Sequence, residues 1–403
     1  VCVMHKVLFI AYDFPPCPNI GGGLRSEKFV KYLPEFGWKA TVLSLSQSSY
    51  KVKEKYPHVK RVCSLTPFSW PYEVAPYGWI LPVYQKGRKL LHRNNYDLIY
   101  VSCPPFPQTI AAAKLKRATG IPLIIDFRDA WSLDPYMEGS RLKKLIYRTL
   151  FPIMEKMVLA HTDCLIVNTP SAFEAYVKKY PMLSGRIHMI PNGYDEQDFT
   201  EYRPVASGNH MKILYIGRFG VGARDPLPLL KAFRLLIDHH LPVRLHIIGN
   251  NRTVLSKLVK ELGLNNHVRL TVQIPHKNAI EAMANFDVLL LYQQQSIAVI
   301  TPIAGKTYEY LRAGKAILAI LPPGDNLNII HKYATQQVTV TDHNENQIFK
   351  GFLSLYQDWN KGNLPLYMPP ADHFEKYSRQ NLAACLTSVF DHFVKQGANH
   401  ENY

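Results

Sequence analysis

The chain passes from one series of structural elements into a second at Pro204-Val-Ala-Ser-Gly-Asn-His-Met-Lys-Ile-Leu-Tyr-Ile-Gly217. The first seven of these residues include proline, serine, glycine and asparagine, which favour turns and linkers. Lys212 to Gly217 is then a short apolar run that predicts a buried strand. Four further runs of this kind follow, and we predict strands at Arg244 to Gly249, Val268 to Val272, Val288 to Tyr292 and Ala316 to Leu321.

A similar series precedes this stretch. The predicted strands are Lys6 to Tyr12, Ala40 to Leu45, Leu98 to Ser102, Leu123 to Asp126 and Cys164 to Asn168. Because helical stretches alternate with these short runs, each series predicts an α/β domain built on a parallel sheet. The Pro-Asn-Gly turn within Met189 to Asp195 marks the passage from the first domain to the second.

These patterns predict three segments. We expect a Rossmann-like first domain over residues 1–195 and a Rossmann-like second domain over residues 196–376. Apolar residues at helical spacing from Phe374 to Lys395 predict a last helix. Residues 377–403 should therefore form that helix and a frayed polar tail.

The composition indicates a well-packed protein, since 47% of the 403 residues are hydrophobic. Apolar runs such as Ile317 to Leu321 are far shorter than the roughly 18 to 20 residues of a membrane-spanning helix. Val7 to Tyr12 leads directly into Asp13-Phe-Pro-Pro16, which predicts a first strand and no secretory signal peptide. The six cysteines are widely spaced and form no C-x-x-C pair, so we expect reduced thiols in the cytoplasm and no metal site.

The charge balance favours anionic partners. Lysine and arginine number 47 against 31 acidic residues, giving a formal net charge of +16. Nucleotide sugars, acidic lipid headgroups and nucleic acid all fit this charge. Nucleic acid is the weakest of the three, because the basic residues are interspersed with structural elements and form no nucleic-acid-binding signature.

The segment Thr301-Pro-Ile-Ala-Gly-Lys-Thr-Tyr-Glu-Tyr-Leu-Arg-Ala-Gly314 predicts a nucleotide-sugar site. Gly305 permits close backbone approach, the first N–H groups of the following helix can face a diphosphate, and Lys306 adds a positive charge. Glu309 lies one turn along, within reach of ribose hydroxyls. The alternative is an ordinary amphipathic helix with Lys306 and Glu309 as a solvated i,i+3 pair. A Walker A loop is excluded because Ile300 stands where that motif needs glycine.

Other candidate residues follow predicted strands, where ligands gather in parallel sheets. They are Gly21-Gly-Gly23, Asp126-Phe-Arg-Asp129, Gly217-Arg218 and Gly249. A nicotinamide-dependent oxidoreductase would need a G-x-G-x-x-G motif after an early strand, and Gly21-Gly-Gly-Leu-Arg-Ser26 does not supply it.

Together the motifs resemble those of the retaining GT-B glycosyltransferases of family 4, particularly the bacterial branch that acts on surface polysaccharides and glycolipids. The matching pieces are Asp13-Phe-Pro-Pro16 with Gly21-Gly-Gly23, Ile121 to Trp131, Ile190 to Asp195, Tyr215-Ile-Gly-Arg218 and Gly305 to Leu311. The resemblance implies two domains facing a central cleft, with the last helix crossing back to the first. It also implies sugar transfer from a UDP- or GDP-sugar, bound in the second domain without metal or cofactor, to a saccharide or lipid-linked saccharide in the first.

The resemblance assigns donor-binding roles by position. Gly22 and Gly23 would let the backbone approach the diphosphate, and Arg218 would bind its phosphates. Arg224 would be the second phosphate-binding residue, because Ala223 stands at the usual lysine. Glu309 matches the second glutamate of the family's E-x7-E pair. Thr301 stands at the first, which leaves the sugar to its hydroxyl or to backbone N–H groups near Ile303 and Ala304. Thr307 is a further expected donor-binding residue.

The resemblance also assigns catalytic roles. Asp126, Arg128 and Asp129 would lie near the reacting centre, while Arg218 and Lys306 would stabilise the leaving diphosphate. Three alternatives stay open. Gly22 and Gly23 could form a flexible turn, Arg224 could pair with Asp225 at the surface, and Arg128 and Asp129 could form a structural ion pair beside a core Trp131.

A membrane-facing surface is a further possibility. Arg141 to Phe151 interleaves basic and apolar residues at helical spacing, and Phe68, Trp70, Tyr77 and Trp79 precede it. Such a helix can lie on an anionic membrane, which would suit a lipid-carried acceptor. The alternative is a core helix with a solvated basic face.

Other function classes also stay open: a GT-B protein that only binds a nucleotide sugar, or an epimerase or phosphorylase of that fold.

Overall fold

The computed structural model describes residues 4–16, 20–46, 56–67, 70, 74–133, 141–206, 208–220, 224–249, 252–293 and 299–400. The chain divides into two compact units. The first unit contains Val1–Asn192 and Arg379–Tyr403, and the second contains Gly193–Ser378. The boundaries expected from the sequence fall after residues 195 and 376.

The first unit is built on a parallel sheet of seven strands. They are β1 (His5–Ile10), β2 (Trp38–Leu45), β3 (Val59–Val62), β4 (Leu98–Cys103), β5 (Leu123–Phe127), β6 (Cys164–Val167) and β7 (Ile187–Met189). The helices that follow in the chain are α1 (Ile20–Tyr32), α2 (Ile80–Arg93), α3 (Gln108–Thr119), α4 (Arg141–Leu159) and α5 (Pro170–Lys179). The strand order is β3-β2-β1-β4-β5-β6-β7, and every residue of β4 and β5 is buried, as expected for central parallel strands covered on both faces.

The second unit repeats this plan with six parallel strands. They are β8 (Met211–Ile216), β9 (Val243–Ile248), β10 (Val268–Thr271), β11 (Val288–Tyr292), β12 (Ala316–Ile320) and β13 (Gln337–Val340). Its helices are α6 (Leu227–Asp238), α7 (Arg252–Glu261), α8 (His276–Met283), α9 (Gly305–Ala313), α10 (Asp325–Tyr333) and α11 (Glu345–Asn360). The order β10-β9-β8-β11-β12-β13 is that of a Rossmann sheet, so its topological switch point lies between β8 and β11.

The last helix, α12 (Arg379–His400), belongs to the first unit. Leu386 and Phe390 are fully buried in the same core as Phe9 and Trp38, and the Trp38 indole donates a hydrogen bond to Asp391 Oδ1 at 2.9 Å. The expectation that the last helix returns to the first domain is therefore confirmed.

The bounds of this helix differ from the prediction. It begins after Phe374 and Tyr377, because Phe374 lies between two short 3-10 turns, Tyr377 ends the second of them, and both side chains pack with the core of the second unit. It also continues to His400, beyond the expected start of a frayed tail.

The three strands missing from the prediction are β3, β7 and β13, which are the outermost or shortest in their sheets. Each has only three or four residues, and polar side chains interrupt its apolar pattern. Gly22 and Gly23 also differ from expectation, since they lie in the first turn of α1 rather than in a loop. Glycine is a poor helix former, so this turn depends on tertiary contacts made farther along the helix.

Candidate functional site

Lys306 lies at the carboxyl end of β8, next to the switch point of the second sheet. Helix α9 begins at Gly305, and the Lys306 side chain reaches back so that its Nζ donates a hydrogen bond to the carbonyl of Ile216 at 2.7 Å. The same nitrogen lies 4.1 Å from the centroid of the Tyr215 ring. A Cβ on Gly217 would come within 3.0 Å of Nζ, so the glycine provides room for the ammonium.

The surroundings of Lys306 are electropositive. Desolvation, and after it the nearby Arg224, lower the pKa of Lys306 to about 7, while Glu309 acts in the opposite direction. Within the described ranges, Lys306, Arg218 and Arg224 form no ion pair with an acidic side chain. Lys306 and Arg224 thus place positive charge beside a helix N-terminus, which favours an anionic ligand, and the exposed Arg218 lies two residues after Ile216 in the chain.

The expected alternative for Arg224, a surface pair with Asp225, is not observed. Asp225 Oδ1 instead accepts a hydrogen bond from the backbone N–H of Leu227 at 2.9 Å, at the start of α6. The Asp225 carbonyl accepts from the Tyr292 hydroxyl at 2.6 Å, which fixes the backbone next to Arg224 to the end of β11.

Glu309 does not pair with Lys306 either. Its Oε1 lies 2.6 Å from His276 Nε2, and His276 Nδ1 lies 3.7 Å from Asp198 Oδ2. All three side chains are partly buried, with Glu309 the least exposed at 14%. The solvated Lys306–Glu309 pair that the sequence left open is therefore absent from the structure.

The loop before α9 turns several predicted donor-binding side chains away from solvent. The Thr301 hydroxyl accepts a hydrogen bond from the Asp325 N–H at 2.9 Å, at the start of α10. The Thr307 side chain is fully buried, and its hydroxyl donates to Asn326 Oδ1 at 2.8 Å. Ile303 packs in the core of the unit. Thr301 and Thr307 therefore have their hydroxyls bound within the protein, and Ile303, Ala304 and Gly305 can offer a ligand their backbone, which for Ile303 and Ala304 is the predicted role.

Gly249 is required by the protein backbone itself. A Cβ on Gly249 would lie 1.7 Å from the carbonyl oxygen of Gly217, so the ends of β8 and β9 approach too closely for any side chain. Gly305 is different, because nothing lies within 4 Å of the place where its Cβ would be. The open side of the site is thus at Gly305, and Gly249 shapes the edge of the sheet.

In the first unit, Asp126 is fully buried and bound by two side chains. Arg25 donates to it through Nε at 2.7 Å and through Nη2 at 3.2 Å, and the Tyr100 hydroxyl donates at 2.6 Å. The same guanidinium also donates to the carbonyls of Ile190 and Pro191. Asp126 therefore holds Arg25, and its oxygens are already occupied by protein donors in place of the predicted acceptor hydroxyls.

Arg128 binds backbone carbonyls instead of a carboxylate. Its guanidinium donates to the carbonyls of Cys103 and Pro104 at 3.1 and 2.8 Å, and to that of Gly22. The alternative ion pair between Arg128 and Asp129 is not formed, and the Arg128 side chain is held by these carbonyls. Asp129 itself is exposed and has no hydrogen bond or ion pair in the part of the chain that the structure describes, but desolvation raises the pKa of its carboxyl and the neighbouring Arg128 acts in the opposite direction.

A buried carboxylate that the sequence did not single out fixes the loop after Asp129. Glu155 of α4 is fully buried and accepts hydrogen bonds from the Ser132 N–H, the Tyr176 hydroxyl and the Tyr180 hydroxyl at 2.9, 3.0 and 2.6 Å. Lys179 Nζ also donates to it at 3.0 Å. A lone glutamate within the apolar stretch Phe151 to Leu159 is the signal that could have identified it.

Comparison with known families identifies the chain. Residues 21–198 match the model of Glycosyltransferase Family 4, and residues 199–380 match that of Glycosyl transferases group 1. The two matches adjoin, and their boundary falls close to that between the two units. The chain belongs to glycosyltransferase family 4.

Relatives of this glycosyltransferase are distant. Mannosylfructose-phosphate synthase of Agrobacterium fabrum is 21% identical over 254 residues, which cover 55% of each chain. D-inositol 3-phosphate glycosyltransferase of Corynebacterium jeikeium is 24% identical over 156 residues, covering 34% of this chain and 37% of that protein. The aligned regions thus span about half or less of these curated relatives. The solved structure of sucrose-phosphate synthase from Thermosynechococcus elongatus superposes on this chain with a TM-score of 0.76 at 15% sequence identity. The superposition covers 97% of this chain and 100% of that one, and it supports the GT-B fold.

Two further observations concern the part of the chain that the structure describes. Among the helices that the structure describes, none is both long and apolar enough to cross a membrane. Its described side chains also contain no cluster of three or more histidine, cysteine or acidic residues placed to hold a metal ion.

Proposed function

We propose that the protein transfers a sugar from a UDP- or GDP-sugar to an acceptor hydroxyl with retention of anomeric configuration. The observation that carries this proposal is the positive charge of Lys306 at the start of α9, with Arg224 near it. Lys306, Arg218 and Arg224 lack acidic partners within the described residues, and Glu309 lies one turn beyond Lys306. A diphosphate at the helix start and a ribose beside Glu309 would satisfy both features.

In the proposed reaction, the bond between the anomeric carbon and the diphosphate oxygen breaks while a bond to the acceptor oxygen forms on the same face. The proton of the acceptor hydroxyl passes to the departing phosphate. Lys306, the two arginines and the first N–H groups of α9 stabilise the negative charge that develops on the leaving group. No metal or other cofactor takes part in this proposal.

Asp129 is the candidate for contact with the acceptor. Of the three predicted catalytic residues of the first unit, it alone keeps a carboxylate that is exposed and unpaired within the described residues. An exposed carboxylate can accept hydrogen bonds from sugar hydroxyls and orient the attacking one. We propose a saccharide or lipid-linked saccharide as the acceptor, within bacterial polysaccharide or glycolipid biosynthesis.

A panel of nucleotide sugars tests the transfer proposal. We expect one class of donor to raise the melting temperature and to be hydrolysed slowly without acceptor, because a ligand at a hundred times its Kd stabilises by about 2.7 kcal/mol. The nucleoside monophosphates serve as controls that lack the second phosphate.

The second candidate function, binding without transfer, is favoured by Thr301, whose hydroxyl caps α10 where family members carry a glutamate. Stabilisation with neither hydrolysis nor transfer would establish that candidate instead.

A peripheral location on the inner face of the membrane is proposed from the outer surface of α4. Leu150, Ile153 and Met157 each expose about half or more of their side chains, and Arg148 and Lys156 are exposed near them. Apolar side chains flanked by basic ones can enter the headgroup region of an anionic bilayer. Trp79 does not contribute, since it is fully buried and donates to the Val62 carbonyl; Phe68 and the side chains of residues 141–144 lie outside the described residues.

Vesicle flotation tests this surface. We expect the protein to float with vesicles that contain an anionic lipid, and the double variant Ile153→Asp/Met157→Asp to lose most of this binding because the charges oppose burial. Val254→Asp is the matched control, since Val254 is an equally exposed apolar residue on α7 of the second unit. Flotation that is independent of anionic lipid, or equal in all three proteins, would contradict the proposal.

A further inference from the structure

His276 is the residue that determines what Glu309 contacts. A carboxylate only accepts hydrogen bonds, so the 2.6 Å contact places a proton on His276 Nε2, directed at Glu309 Oε1. His276 is the first residue of α8, and Asp198 approaches its other ring nitrogen at 3.7 Å. The imidazole is thus placed between two carboxylates from different elements of the second unit.

This contact has two consequences for Glu309. First, with Oε1 occupied, the carboxylate cannot turn freely, and Oε2 is the oxygen left for another donor. Second, Glu309 is drawn away from Lys306, its neighbour one turn earlier on α9. Residues three apart on a helix commonly form ion pairs, and such a pair here would neutralise the cation beside the helix start. His276 therefore keeps the acid and the base of this segment separate.

We infer that His276 is a positioning residue, which directs Glu309 Oε2 to the ribose hydroxyls of the donor and leaves Lys306 free for the diphosphate. This inference rests on the proposed function. Through Glu309, His276 helps the protein to distinguish ribose from deoxyribose. This distinction needs a carboxylate oxygen that is held in place, because a mobile carboxylate can adjust its position to either sugar. The residue acts through Glu309 and does not itself contact the donor.

Binding of nucleoside diphosphates measures this role. We expect wild-type protein to bind UDP or GDP about tenfold more tightly than the corresponding 2′-deoxynucleotide, which is the usual effect of one hydrogen bond to a charged group. Glu309→Ala should remove this preference. His276→Ala should reduce it several-fold, while His276→Gln should restore most of it, because the glutamine amide can place an N–H near the former Nε2. His331→Ala, which changes an exposed histidine on α10, should leave it unchanged.

Inorganic diphosphate has no ribose, so its binding tests the effect of His276 on Lys306 separately from the effect on the direction of Glu309. We expect His276→Ala to weaken its binding because Glu309 can then pair with Lys306, and the double variant His276→Ala/Glu309→Ala to recover it. An unchanged ribose preference in folded His276→Ala, as judged by its melting temperature, would overturn the inference while leaving the proposed function intact. Failure of the wild-type protein to bind any nucleoside diphosphate would overturn the proposed function, and the inference with it.

Discussion

Replacing Lys306 by alanine is expected to lower turnover by about a hundredfold or more, because one preorganised donor to a developing negative charge is typically worth that much. The side chain is held by the Ile216 carbonyl and the Tyr215 ring, so its charge is already placed before a donor binds. Lys306→Arg should retain part of the activity, since it keeps the charge but not the geometry. Initial rates at saturating donor, with the melting temperature as a check on folding, measure the effect.

The same residue predicts a pH dependence. With a pKa lowered to about 7, Lys306 is charged below that pH and loses its charge as the pH rises through it. Since an anionic donor favours the charged form, kcat/KM for the donor should fall as the pH rises through about 7. Lys306→Arg should lack this fall, because an arginine stays protonated. An identical pH profile in the two proteins would show that another group controls donor capture.

Asp126→Ala is expected to destabilise the first unit by about 3–5 kcal/mol, which is the usual result of leaving one partner of a buried ion pair uncompensated. Arg25 would keep its carbonyl acceptors but lose the only carboxylate that it contacts among the described residues, and the Tyr100 hydroxyl would lose its acceptor. Urea unfolding followed by circular dichroism measures the change, with the transition of each unit considered separately.

Two comparison variants make the Asp126 result interpretable. Lys116→Met removes a partly exposed ion pair with Asp163 in the same unit and should cost no more than about 1 kcal/mol. The double variant Arg25→Met/Asp126→Leu should lose less stability than Asp126→Ala alone, because it leaves no unpaired buried charge. Equal losses for Asp126→Ala and Lys116→Met would mean that the buried pair contributes no more than an exposed one.

The sequence predicted the central strands well, because each is an apolar run with turn residues on both sides. Val288–Tyr292 was located to the residue, whereas β3 with Lys60 and Arg61 was missed, since an edge strand needs fewer apolar residues. The start of α9 was also predictable, and its end at Gly314 follows from local backbone chemistry, because glycine adopts the left-handed conformation that commonly ends a helix.

The partners of the site residues were not predictable in this way. Arg25 and Asp126 are separated by 101 residues, and His276 and Glu309 by 33, so no local spacing connects them. The directions of Thr301 and Thr307 were missed for a related reason. Whether a hydroxyl faces solvent or caps the next helix depends on where α10 packs, and a single sequence does not contain that information.

The position of α12 in the first unit has a consequence for synthesis of the protein. A ribosome makes all of the second unit before it makes Leu386 and Phe390, which complete the core around Phe9 and Trp38. During that interval the first-made part of the chain has an apolar surface with no covering helix. The later-made unit can thus finish folding before the first, whose apolar surface stays exposed until α12 has left the ribosome.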